Sequence, residues 1–240
     1  MRHFVLILTT VLVAVAGTAE AKERKLSGYS FDAIQIIGNV NVSIQTGEGP
    51  SAVAKADTRR ALDQISVRKA GSELIVSVSP KTNQTDRYSS QPPITLRLTT
   101  YQLSKILHRG SGSVAVDNMK GRNTSIRVGG FGSVTVGNIN SDRLEISMNG
   151  GGEVTVGGEA RTAKVALLGS SRLDATALTV EDLDLTHRGP ANTQIFVEKR
   201  AEITNGGSGI IQIDGRPECL VRTAGAAEII CNPKNGVYLS

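Results

Sequence analysis

The stretch "VGGFGSVTVG" at residues 128–137 has two readings. Closely spaced glycines ahead of a β-branched run describe a phosphate-cradling loop, whose backbone N–H groups converge on the ligand. They equally describe a tight corner between two strands. A phosphate loop also needs a strand before it, a helix or sheet behind it and usually a lysine and a metal-binding carboxylate. The rest of the chain decides between the two.

The same turn comes back. In chain order its copies read "GSGSV" from Gly110, "GFGSV" from Gly130, "GGGEV" from Gly150, "GSSRL" from Gly169, "GPANT" from Gly189, "GSGII" from Gly207 and "GAAEI" from Gly225. The first glycines, at 110, 130, 150, 169, 189, 207 and 225, are 20, 20, 19, 20, 18 and 18 residues apart. Every second residue before them is mostly apolar, as in Leu144, Ile146 and Met148 or Leu183, Leu185 and His187. The same holds after them, as in Val134 and Val136, Val154 and Val156, Ile211 and Ile213. Strand periodicity on both sides of a glycine, held in one frame through successive copies, belongs to stacked strand–corner–strand units.

No single unit of this length buries its own side-chain row, whereas stacking places each row on the one beneath it and pairs the backbones in parallel. The sequence therefore predicts an all-β fold, a right-handed parallel β-helix or β-solenoid with coils of about 20 residues and glycine corners. Adjacent coils stand about 4.8 Å apart. The recurring glycines are corners, where positive φ or a close approach of stacked backbones excludes a side chain. Nucleotide binding is not needed to explain them.

Composition agrees. The 240 residues are 39% hydrophobic, enough for a core, with 26 glycines, only 3% aromatics and no tryptophan, which favours short β-branched strands joined by tight turns over helical packing. Residues 1–21 read as a secretory signal: a basic Met1-Arg2-His3, an apolar run over 4–16 and small residues at Ala19 and Ala21. The mature chain is expected from Lys22, outside the cytoplasm, in the periplasm or at the cell surface, with no transmembrane segment. Residues 22–108 are expected to form an N-terminal cap and irregular opening coils, with 79–93 as an exposed polar loop. A separate small β domain is the alternative. Regular coils follow over 109–236 and a tail over 237–240.

An opening "FDAIQIIGNVNVSIQTG" at 31–47, then "PPITLRLTTYQLSKILHRGSGSV" and the repeated corners, resemble the bacterial GIN-domain family of auto-transporter adhesin heads, a domain of unknown function. The likeness runs from about Phe31 to Ile230 and is strongest over 31–47 and 96–136. It implies a β-helical exported protein with a role in adhesion, and it brings no catalytic residues. No membrane barrel is expected after the last coil.

The remaining chemistry is sparse. Cys219 and Cys231 sit six residues before and six after Gly225, both in inward rows, so the corner brings them opposite each other. A structural disulfide, two buried thiols and a redox or metal site are all open, although the CxxC spacing of redox pairs is missing. His108 and His187 each lie two residues before a corner glycine, four coils or about 19 Å apart, too far to share a metal. They read as core or edge histidines. The calcium-binding nonapeptide fails, because in "GGSGIIQID" Asp214 comes too late. Glu145, Lys164 and Asp184 should stack with alternating sign on an outer row, and Asp184 and Glu202 should be neighbours there. Such a carboxylate pair serves acid–base cleavage of a polysaccharide or merely a solvated ladder.

Neither a cofactor nor a metal set nor a catalytic constellation is apparent. The function expected is a non-enzymatic adhesin-like or envelope-binding module, with a carbohydrate-active enzyme on a β-helix as the alternative. The partner is unknown. Envelope or host glycans are candidates, and the formal charge of +5 allows other anionic polymers. Basic residues are scattered and rarely flanked by aromatics, so nucleic acid is not expected.

Overall fold

The computed structural model describes residues 22–78 and 94–231. The signal-like start, the polar loop 79–93 and the tail 237–240 lie outside the described residues. Strands β1 (Lys22–Leu26), β2 (Ala33–Gly38), β3 (Val40–Thr46) and β4 (Ser51–Ala56) lead to a short helix, α1 (Arg59–Asp63). After it come β5 (Ile65–Ala70), β6 (Glu73–Val78), β7 (Ile94–Thr100) and β8 (Lys105–Gly110). The chain is then almost continuous strand: β9 (Ser113–Gly130), β10 (Ser133–Gly150), β11 (Glu153–Leu168), β12 (Arg172–Arg188), β13 (Pro190–Asn205), β14 (Ser208–Gly215), β15 (Glu218–Thr223) and β16 (Glu228–Cys231).

These strands wind into a β-solenoid of about six turns. Each long strand is one coil, with an outgoing arm after the glycine corner, a mid-coil bend and a return arm to the next corner. All pairings from β8 to β16 are parallel. One inward row of the return arms runs in register through Ile34, Ile106, Ile126, Ile146, Val165, Leu185, Ile203 and Val221. Seven of the eight are buried at 3% exposure or less, and Val221 is half-buried. Full burial of such a side chain contributes about 1.5 to 3 kcal/mol, so the row alone accounts for much of the driving force for stacking.

The corners form a second column. A Cβ built on Gly110 would overlap the carbonyl of Gly38, and the same conflict links Gly130 to Gly110, Gly150 to Gly130, Gly169 to Gly150, Gly189 to Gly169, Gly207 to Gly189 and Gly225 to Gly207. Close approach of backbones is thus what all the corners share, while positive φ occurs at only some of them, such as Gly150 at 127°. "GSSRL" and "GPANT" look irregular, yet Gly169 and Gly189 stack like the rest.

Coil length varies without disturbing the arms, because the mid-coil bend absorbs the difference. Between β10 and β11 the register shifts only between Val136 and Ile139, and between β12 and β13 only from Ala175 to Asp182. A further inward row occupies this bend, including Met119, Ile139 and Leu178, all fully buried.

The amino-terminal part is layered out of chain order. β2 and β3 lie directly beneath β8 and β9, with Gly38 paired to Gly110. On their other side lie β6 and β7, also parallel to them. The outermost layer is β4 and β5, antiparallel to β7 and β6, with β1 antiparallel on β4. Helix α1 joins β4 to β5. Thr58 caps it, its hydroxyl accepting from the Ala61 N–H at 3.1 Å, and Leu62 is buried beneath. This layer covers strand edges that would otherwise invite pairing with another chain.

Candidate functional site

The outer surface divides by arm, and the two arms differ in chemistry. On the return arms the exposed row runs Lys105, Ser125, Glu145, Lys164, Asp184 and Glu202 in register. Lys164 reaches Asp184 at 4.0 Å, as an alternating ladder requires. Glu145 departs from it: its carboxylate turns to Arg127, both oxygens accepting from the guanidinium Nη2 at 3.1 Å, instead of toward Lys164. Asp184 and Glu202 are neighbours in register, but Glu202 faces Arg222. Each carboxylate is thus turned toward a cation on its far side. These exposed pairs contribute about 0 to 1 kcal/mol each and leave no carboxylate couple converging on a bond.

The outgoing arms carry mainly hydroxyls and amides. One exposed row reads Asn41, Thr95 and Lys55 near the cap, and farther along Ser113, Ser133, Glu153, Arg172 and Asn192. The next reads Ser43, Ala115, Thr135, Thr155, Asp174, Gln194 and Gln212. Near the far end the surface dips into a groove of about 470 Å³ lined by Glu153, Arg172, Asp174, Asn192, Gln194 and Gln212, with Ile210 at its edge.

The groove's side chains are held from behind. Gln194 and Gln212, paired in register on adjacent coils, both donate Nε2 to Asp214, at 3.1 Å to one carboxylate oxygen and 2.9 Å to the other. Asn192 Oδ1 accepts from the Ile210 N–H at 3.0 Å. Asp174 Oδ1 accepts from the backbone and hydroxyl of Thr176. The rows of Thr and Gln are readable in sequence, whereas Asp214 as their organiser is not, because its reach to Gln194 depends on the parallel register between β13 and β14.

Both histidines are fully buried and bridge their own corners. His108 Nε2 lies 2.9 Å from Gly112 O, and His187 Nε2 lies 3.1 Å from Ala191 O, in each case the carbonyl two residues past the corner glycine. Burial pushes the His108 imidazole below its ordinary pKa, against smaller opposing effects of the Gly112 and Ile36 backbone. Cys219 and Cys231 stand opposite each other across the last described coil, with Cα atoms 6.7 Å apart and the sulfurs joined. Among the described residues no cluster of three His, Cys, Asp or Glu side chains could hold a metal ion, and no helix is long and apolar enough to cross a membrane.

The chain belongs to the family described as "Putative auto-transporter adhesin, head GIN domain", whose model matches residues 30–217. Solved structures share the fold. A "putative adhesin" from Bacteroides fragilis is 16% identical with a TM-score of 0.75, covering 89% of this chain and 98% of that one. A "putative adhesin" from Parabacteroides distasonis is 14% identical with a TM-score of 0.65, covering 89% and 98%. A "putative lipid binding protein" from Parabacteroides distasonis is 18% identical with a TM-score of 0.65, covering 93% and 98%. Among curated proteins none matches.

Proposed function

We propose that this member of the GIN-domain adhesin-head family is an exported, non-enzymatic adhesion module that holds an envelope or host ligand on the outgoing-arm face of its solenoid. The observation that carries this reading is the contrast between faces. Carboxylates of the return arms are turned toward cations, while the outward rows of the outgoing arms are mainly half-buried to exposed Ser, Thr, Asn and Gln on a close-packed core. Export rests on the basic, apolar and small-residue order of 1–21. A binding assay of the processed chain on envelope fractions and glycan arrays tests it: retention without turnover supports adhesion, and release of shortened polymer would replace it with the carbohydrate-active alternative.

A second reading, attachment to an acidic polymer or surface, is favoured by the cap. Lys22, Lys25, Arg59, Arg60, Arg68 and Lys69 are exposed there, while the cap carboxylates Glu23 and Asp63 pair with Lys55 and Arg24. Binding through this end would weaken steeply as salt rises.

A further inference from the structure

We infer that the groove on the outgoing arms is a binding site for an uncharged glycan strand, read by the donors of Arg172 and Asn192 beside the acceptors of Asp174, Gln194 and Gln212. This rests on the adhesion reading above and gives it a place and a ligand chemistry. Each groove amide has one end tied and the other free. Each glutamine spends one N–H of its Nε2 on Asp214, which fixes the amide and leaves its Oε1 free as an acceptor beside one remaining N–H. Asn192 is tied by its oxygen, so its Nδ2 donors are the free end. Asp174 has one oxygen engaged by Thr176 and one to spare. Arg172, in register with Asn192, makes no ion pair among the described residues.

The result is two columns on alternate positions of the strands. Arg172 and Asn192 supply donors, with the Glu153 carboxylate next to Arg172 in the same row; Asp174, Gln194 and Gln212 supply acceptors, each glutamine keeping one further N–H. Members of a column repeat about every 4.8 Å across coils, and the columns stand about 7 Å apart along the strand. A sugar hydroxyl both donates and accepts, so a chain bearing several hydroxyls per residue can address both columns at once. The half-exposed Ile210 offers an apolar patch for the C–H side of a ring. Charge narrows the class. Glu153, Asp174 and Asp214 outnumber Arg172, which disfavours sulfated or uronate polymers at this place. Because the amides are fixed before the ligand arrives, little side-chain ordering opposes binding.

The test is affinity electrophoresis of the processed full-length chain in gels containing dextran, laminarin, mannan or galactan, with alginate as the anionic comparison. Wild type should be retarded by at least one uncharged polymer, and Gln212→Ala or Arg172→Ala should weaken that retardation at least tenfold. Asp214→Ala, which acts through the glutamines, should weaken it comparably while leaving the melting transition near that of wild type. Lys164→Ala on the opposite face should change nothing. Retardation by none of the uncharged polymers, or equal retardation of wild type and groove variants, overturns the proposal. Retention of the groove variants on envelope fractions distinguishes the cases: if they still bind as wild type does, adhesion stands and the groove is wrong; if wild type does not bind either, adhesion fails as well.

Discussion

Nδ1 of His187 lies 3.0 Å from Oδ1 of Asn205, the side chain at the same place one coil farther along the axis. Asn205 in turn donates Nδ2 to the Thr223 hydroxyl at 3.0 Å and accepts from the Gly207 N–H at 3.0 Å. A polar ladder thus runs through three successive coils at a position that is apolar in most others. Most buried polar groups in folded proteins are paired, and here each rung satisfies the next.

Asn205→Leu should therefore cost about 3 kcal/mol, because it strands a buried histidine nitrogen and a backbone N–H together. Thr223→Val, at an exposed position with a single rung to lose, should cost about 1 kcal/mol. Urea unfolding of the two variants checks the order, and equal losses would mean that the ladder is incidental.

The corner column predicts a contrast between adjacent glycines. At Gly150, φ is 127° and a Cβ would stand 2.5 Å from the Gly130 carbonyl oxygen, so Gly150→Ala should cost about 3 kcal/mol. At Gly151 the nearest obstacle is the Phe131 ring at 2.9 Å, and that ring is 78% exposed and free to swing away. Gly151→Ala should cost under about 1 kcal/mol. Thermal melts of both variants decide it.

His108 gives the fold a pH dependence of known sign. Its folded pKa is lowered, chiefly by burial, so between that value and the unfolded value of about 6.5 the unfolded chain binds more protons. Its contribution is fully present above about pH 6.5 and declines as pH falls, by up to about 1.4 kcal/mol per pH unit. The stability difference between wild type and His108→Gln should shrink across that range. A difference independent of pH would show that the ring titrates alike in both states.

Oxidation of Cys219 and Cys231 should appear in the intact mass as the loss of two hydrogens, reversible with a reductant. The cysteines are 12 residues apart, and closing a loop of that order contributes about 3 kcal/mol in the chain-entropy model. Reduction should accelerate amide exchange in β14–β16 while leaving β9–β12 protected. Uniform acceleration along the rod would argue that the bond stabilises the whole stack and not its last coil.

The periodic part of the molecule was readable from residues such as those at 128–137 because both signals are local: alternation marks an inward row, and a recurring glycine marks where no side chain fits. Counting outward from each corner succeeds since the arms keep their register. The middle of the coil was opaque for the complementary reason. Insertions and deletions gather there: Met119, Ile139 and Leu178 each stand nine residues after their corner glycine, but on the intervening coil the residue in register with them is Gly158, eight after Gly150 and without a side chain to continue the row. The polar ladder did leave a trace, since His187, Asn205 and Thr223 each precede a corner glycine by two residues.

By itself, then, the sequence determined that this chain coils, where it bends and which faces are wet, since those follow from a repeat and from burial. Only the tertiary structure decided that β2 and β3 lie between layers formed later in the chain, that Glu145 turns to Arg127, and that Asp214 sets the free ends of two glutamines. The physical reason is that periodicity fixes which way a side chain points, but partner choice depends on what folding brings within hydrogen-bond reach, and residues far apart in sequence carry no local mark of it.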